Sequence, residues 1–257
     1  MGANAGWLYY RDFFEGIDWK QPKSEANKNK INIKADKLLN LPFEDAKFPL
    51  LGDKRLSFTL KTTYPGLLVG SGYAHEGGIE SEMKLGFYFD HTTGLPIVPS
   101  STIKGICRSM FPGIFEEESD IESRRRYIAS VANIPLESVT ALENEMFVQG
   151  SIQNGKRIRD LFFDAVAIKS SAKLYGEDFL TPHKNMTANG IPDEFVDPTP
   201  VRFLKVLPGV HFRFDFRFYD GEILNALQKS ALIKTIILDI GLGAKTNVGY
   251  GKFTEGR

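Results

Sequence analysis

The cleanest periodicity in the chain lies at 209–219, where Phe212, Phe214, Phe216 and Phe218 alternate with His211, Arg213, Asp215 and Arg217. A period of two places the phenylalanines on one face of a strand and the charged residues on the other. The alternation recurs at 55–64, with Leu56, Phe58 and Leu60 set against Ser57, Thr59 and Lys61. A further strand is predicted at 158–168, and a short one ends near Phe253. Helical spacing governs 100–111, where Ile103, Ile106, Cys107 and Met110 form a stripe, and 222–240, where Leu224, Leu227, Ala231, Ile236 and Ile237 share a side. Ser119-Asp120-Ile121-Glu122 reads as a capping box opening another helix, and 136–146 predicts one more. A hairpin-like piece at 85–98 turns at Thr93-Gly94. Strand, helix, strand, strand, helix, strand is the order of a split βαβ unit. The predicted class is therefore α+β, a ferredoxin-like (RRM-like) βαββαβ domain over 55–257.

Two stretches break this pattern. Residues 1–54 form an N-terminal extension, first aromatic (Trp7, Tyr9, Tyr10, Phe13, Phe14, Trp19) with one helical face, then basic. Six lysines at 20–37 face only Glu25 and Asp36, with little apolar content, which predicts a solvated linker. Residues 170–208 hold Pro182, Pro192, Pro198, Pro200 and Pro208 with little periodicity and are expected to be a long functional insertion.

Composition narrows the classes further. With 257 residues, 42% hydrophobic and 25% charged, the chain can bury a core without staples. Cys107 is the single cysteine and the four histidines are scattered, so disulfide frameworks and zinc fingers are excluded and no metal or cofactor is expected. No apolar run approaches the ~18 residues of a membrane span, and Met1-Gly2-Ala3-Asn4-Ala5-Gly6 lacks a basic region followed by an apolar core. A cytoplasmic protein without membrane contact is the expectation. Lys plus Arg equals Asp plus Glu at 32 each, so any nucleic-acid binding has to come from local patches.

Two segments carry candidate chemistry. Gly241-Leu242-Gly243-Ala244-Lys245-Thr246-Asn247-Val248-Gly249-Tyr250-Gly251 combines four glycines with a cation and polar groups, suited to backbone approach to a phosphate-rich partner. Ala244 precedes Lys245, and the loop follows a helix and enters a strand, so it is not a nucleotide-binding Walker loop. The bland alternative is a helix-to-strand turn needing left-handed residues. The second segment is Gly94-Leu95-Pro96-Ile97-Val98-Pro99-Ser100-Ser101-Thr102-Ile103-Lys104-Gly105-Ile106-Cys107-Arg108. Its helix start offers amides to an anion, and Ser101, Lys104 and Arg108 fall within about 60° of one another on the helix. The alternative there is a capped helix with two solvated cations. The two segments are expected to meet as one anion-gripping surface. The phenylalanine strand is either core or a base-stacking platform.

The pairing of these two segments resembles the RAMP superfamily of CRISPR-associated proteins over roughly residues 55–253. Gly70-Ser71-Gly72-Tyr73-Ala74-His75, Asp178-Phe179-Leu180-Thr181-Pro182-His183 and Pro200-Val201-Arg202-Phe203-Leu204 resemble, within it, the sixth-subunit family of the Cmr (type III-B) effector complex. The resemblance implies a non-catalytic subunit that holds CRISPR RNA near its 3′ end. Its partners would be that guide, complementary target RNA and sister Cmr subunits, namely the repeated backbone subunit and the capping subunit. On that family pattern Lys104, Arg108 and the loop around Lys245 to Tyr250, with Thr246 and Asn247, would face the guide backbone; Ser101 at the helix start, Gly243 in the loop and His75, structural or RNA-contacting, complete the expected RNA-binding residues. The slicing aspartate of the repeated backbone subunits has no counterpart, since residues 54–89 hold Glu76, Glu80 and Glu82 but no aspartate. The competing function is a stand-alone, metal-independent endoribonuclease with His75 as general base, for which no matched partner is evident. Asp178 and His183 are too few for a metal site.

Overall fold

The computed structural model describes residues 4–45, 56–70, 74–170, 173–181 and 200–256. Its helices are α1 (Ala5–Tyr10), α2 (Glu25–Leu39), α3 (Ser100–Arg108), α4 (Glu118–Ala132), α5 (Val139–Glu143) and α6 (Ala226–Ile240). The strands are β1 (Leu56–Thr62), β2 (Ile97–Val98), β3 (Ser151–Gln153), β4 (Lys156–Ile158), β5 (Leu161–Phe162), β6 (Ala165–Ser170), β7 (Tyr175–Leu180), β8 (Val201–Val206), β9 (Val210–Arg217) and β10 (Phe253–Glu255). The chain divides into two compact units, one of residues 1–44, 68–96 and 171–207, the other of 45–67, 97–170 and 208–257.

The second unit is built on an antiparallel sheet in the order β10-β1-β9-β6-β2, with β5 also pairing β9. Phe212, Phe214, Phe216 and Phe218 are buried, and Phe58 of β1 stacks on Phe214. The strand is thus core rather than stacking platform, each ring contributing roughly 1.5–3 kcal/mol by leaving water. Helix α6 lies on this face: Glu255, opposite Leu60, pairs with Lys234 of α6 at 2.7 Å. Leu232, Ile233, Ile236 and Ile237 of α6 and Ile103 and Cys107 of α3 complete the core. Tyr127 of α4 donates to Asp239 of α6 at 2.8 Å.

Local signals decided the helix starts, though not all as predicted. α6 opens at a reciprocal capping box of Asn225 and Gln228 rather than at Glu222. The Ser119 box does not form: α4 begins two residues earlier than that cap requires, after Glu117, and no side chain caps it. Beyond α5 the chain widens into a π-helical turn, Asn144–Gln149.

In the first unit the lysine-rich segment is a helix, not a linker. Ile31, Ala35 and Leu38 of α2 recur at one-turn intervals and are buried, leaving the lysines on the outside. Ser24 caps the helix. Asn27 fixes the entry by donating to the Asp18 and Gln21 carbonyls, both at 2.9 Å. The proline-rich stretch holds an antiparallel ladder of β7 and β8. Arg202 of β8 donates to Glu177 of β7 at 2.8 Å, Asn32 of α2 at 3.0 Å and the Ser81 carbonyl at 3.1 Å. The 85–98 hairpin shortens to a single bridge, Phe89 to Pro96, around Gly94.

Candidate nucleic-acid interface

Helix α3 starts after Pro99, and its first amide, that of Ser100, donates to the Asp164 carboxylate at 2.7 Å. The helix start therefore already holds an anion, one from the protein itself. Ser101 is exposed, and Lys104 reaches over the Phe162 ring at 5.9 Å from its centroid. Arg108 faces the Glu143 carboxylate, Nε to Oε1 at 3.9 Å. Glu143 is buried and also accepts the Gly113 amide at 2.8 Å, so the arginine's charge is largely answered within the fold.

The glycine loop closes on itself. Leu242 N–H donates to the Gly251 carbonyl at 2.9 Å, and Gly251 N–H to the Gly66 carbonyl at 2.8 Å. A Cβ on Gly251, which sits at φ +69°, would collide with the Leu242 carbonyl. Part of the glycine content thus answers to chain closure. Between these closures, Lys245 adopts a left-handed conformation and its carbonyl accepts from Val248 and Tyr250. The resulting 3-10 turn, Thr246–Val248, exposes Asn247, with Gly243, Lys245 and Thr246 half-buried and Tyr250 packed inward.

The sheet register sets the positions of the two segments. The loop enters β10 at Phe253, opposite Thr62, and the Val210 amide donates to Thr62 Oγ1 at 3.0 Å. Val210 in turn pairs with Ser170, the last residue of β6. α3 departs from the other end of β6, beside Ala165. Five residues at about 3.3 Å each separate those ends by roughly 17 Å. The start of α3 and the mouth of the loop therefore stand at opposite ends of β6, while α3 and α6 pack together in one layer.

His75 belongs to the first unit, whereas α3 and the glycine loop belong to the second. Its ring is 6% exposed and boxed by Tyr9 at 4.3 Å, Phe14 at 4.6 Å, Phe13 at 5.3 Å and Tyr10 at 5.8 Å between centroids. Among the described residues no side chain pairs with either ring nitrogen, and burial, outweighing the opposing Met83 and Tyr9 backbone, pulls its pKa from 6.5 down to about 4. The expected RNA contact at this position is replaced by packing. Beside it, Glu82 is buried with its pKa raised, chiefly by burial. Asp178 pairs with Lys205 at 2.7 Å, while His183 lies outside the described residues, as do 71–73 of the Gly70–His75 motif.

Sequence reasoning left one group unassembled. Lys61, His211 and Lys169 stand side by side on three adjacent strands, on the face away from α6. Its signal was present only as separate alternations, because register is not written in a single sequence. Among the described residues no cluster of three metal-ligating side chains occurs, and no helix is long and apolar enough to cross a membrane.

The RAMP superfamily profile matches residues 59–254, from β1 through the glycine loop into β10. The chain belongs to the RAMP superfamily. It is 25% identical over 294 aligned residues to the CRISPR system Cmr subunit Cmr6 of Pyrococcus furiosus, covering 98% of this chain and 82% of that one. To the Cmr6 subunit of Saccharolobus solfataricus it is 26% identical over 168 residues, 65% of this chain and 48% of the relative. A chain in a cryo-EM structure of the type III-B Cmr-beta complex bound to cognate target RNA superposes with a TM-score of 0.53 at 25% identity, covering 79% of this chain. This chain spans about half the length of the Saccharolobus relative and 58% of the solved one. Within the superfamily it is Cmr6-like.

Proposed function

We propose that this chain is a non-catalytic RNA-binding subunit of a type III-B Cmr effector complex in the cytoplasm, holding the CRISPR RNA backbone near its 3′ end beside sister subunits. The observation that carries this reading is the superfamily match, which contains both α3 and the glycine loop, together with the Cmr6 relatives. The strand order β10-β1-β9-β6, with α3 and α6 as the crossovers, supports a ferredoxin-like domain over 55–257 preceded by a 1–54 extension. Residues 170–208 are its insertion. The exposed turn at Lys245, Thr246 and Asn247 would meet phosphates through a cation and backbone, without reading bases. Ser101 and Lys104 would meet them further along the helix layer, with Arg108 contributing less because Glu143 answers it. Specificity would come from pairing of guide and target, as in other RNA-guided systems.

A non-catalytic role is supported by the state of His75. A buried imidazole that is enclosed by aromatic rings and neutral at pH 7 has no substrate proton in reach. Co-expression with sister Cmr subunits tests the reading: a discrete small RNA is expected to co-purify, and Lys104→Glu/Lys245→Glu to deplete it. Assembly without RNA loss in that variant would make the chain a scaffold. Metal-independent RNA cleavage abolished by His75→Ala would make it a nuclease.

A further inference from the structure

On β9 the residue after Val210 is His211, and its two neighbours in register are Lys61 of β1 and, just past a shift of register between Ala167 and Lys169, Lys169 of β6. Directly opposed residues share a sheet face with Cβ atoms about 5 Å apart, where like charges repel. Among the described residues no carboxylate forms an ion pair with either lysine. Burial first, then both ammonium groups, lower the His211 pKa, and only Asp45 acts the other way. A row that repels itself in the free protein is an unfilled electrostatic demand.

The position of the row indicates what fills it. Lys61 precedes Thr62, His211 follows Val210 and Lys169 precedes Ser170, so the row lies one residue inside the sheet end where the glycine loop enters. One residue is about 3.3 Å along the strand. The row is therefore closer along the strand direction to the loop than is the start of α3, at roughly 17 Å. The next cation on this face, Arg213, bonds Asp215 at 3.1 Å, and the one after it, Arg217, stands at the other end of β9, away from the loop.

We propose that Lys61, His211 and Lys169 form a phosphodiester-binding row that continues the grip of the glycine loop around the end of the sheet. The phosphate seats between the two ammonium groups above the imidazole, and its backbone passes on to Lys245 and Asn247. The inference rests on the RNA-binding reading above and names a site on the sheet face that reading does not use.

The test titrates the full chain against a fluorescein-labelled mixed-sequence single-stranded RNA by anisotropy, between about 50 and 200 mM salt. Three proteins are compared: wild type, Lys61→Met/Lys169→Met and Lys245→Ala. The double variant is expected to bind roughly tenfold more weakly, with a log–log salt slope shallower by about 1.4, two single-strand contacts at ~0.7 each. Its melting temperature should be unchanged or raised, because the repulsion is gone. That combination separates a binding row from a structural one. Wild-type affinity and slope in the double variant, with loss in Lys245→Ala, overturn the row and leave the RNA-binding reading standing. Competition by polyglutamate as effective as by unlabelled RNA would assign the row to an acidic protein partner and also overturn it. Absence of RNA binding by the wild type, alone and within the assembled complex, overturns the functional reading itself.

Discussion

Replacing Lys229 by Met should strongly destabilise the fold. Its Nζ is fully buried and donates to Asp160 at 3.0 Å, Ser151 at 2.8 Å and the Tyr219 carbonyl at 2.9 Å. Those three bonds occupy all its hydrogens, so Glu145, 2.7 Å away, is held by charge alone. Asp160 is wholly buried and Glu145 nearly so. Removing the ammonium leaves two carboxylates without a counter-charge, and breaking a buried pair from one side costs about 3–5 kcal/mol. At roughly 2–4 °C per kcal/mol for a chain of this size, melting should fall by on the order of 10 °C.

The pH dependence sharpens the test. Burial raises the pKa of Asp160 even with Lys229 present, which opposes the shift. Without the lysine the raised pKa rises further. A carboxyl whose folded pKa exceeds its unfolded value binds more protons when folded, so its destabilising effect is present above the folded pKa and fades as pH falls through it. The deficit of Lys229→Met should therefore be largest at pH 7 and shrink towards pH 4. Urea melts of the variant and wild type across that range measure it. A deficit under about 1 kcal/mol at pH 7, or one that does not change with pH, would refute a buried charge cluster at the start of α6.

Two further outcomes follow from the same geometry. His75 has a folded pKa of about 4 against 6.5 unfolded. The unfolded chain thus takes up a proton first, and stability should fall by up to about 3 kcal/mol between pH 6.5 and pH 4. His75→Phe should flatten that limb while preserving the aromatic box, and an unchanged limb would place the imidazole in contact with water. Gly251→Ala should cost about 1–3 kcal/mol, through a left-handed φ and a collision with the Leu242 carbonyl. Thermal melts check it, and an unaltered melting temperature would mean that the loop is not closed as described.

What was legible in the sequence is what short-range pattern encodes. The phenylalanine strand and the α3 stripe each repeat within a dozen residues and stand where their period put them, whereas the α6 stripe holds only at Ile236 and Ile237: Leu224 precedes the helix, Leu227 and Ala231 are exposed, and Leu232 and Ile233 are buried instead. Helix α2 was hidden because its apolar seam is only Ile31, Ala35 and Leu38 beneath a lysine-rich surface. The partners of the candidate site were hidden for a different reason. Asp164 sits 64 residues from Ser100 and caps its helix, Glu143 answers Arg108, and Tyr9 lies 66 residues before the imidazole it covers. No local rule links such pairs.

Net charge left the location of any local patch open, through averaging. A count of 32 cations against 32 acids excludes long-range capture of a polyanion. At physiological salt, though, a charge is felt over about 8 Å. Lys61, His211 and Lys169 occupy three strands spaced about 4.8 Å, so the row spans roughly 10 Å and its members act on one phosphate together. Of the acids that enter the sum over the chain, Asp45 is the one that acts on His211. A neutral RAMP subunit can thus grip a phosphate backbone, provided the fold sorts its cations into register, and the register of β1, β9 and β6 does that sorting.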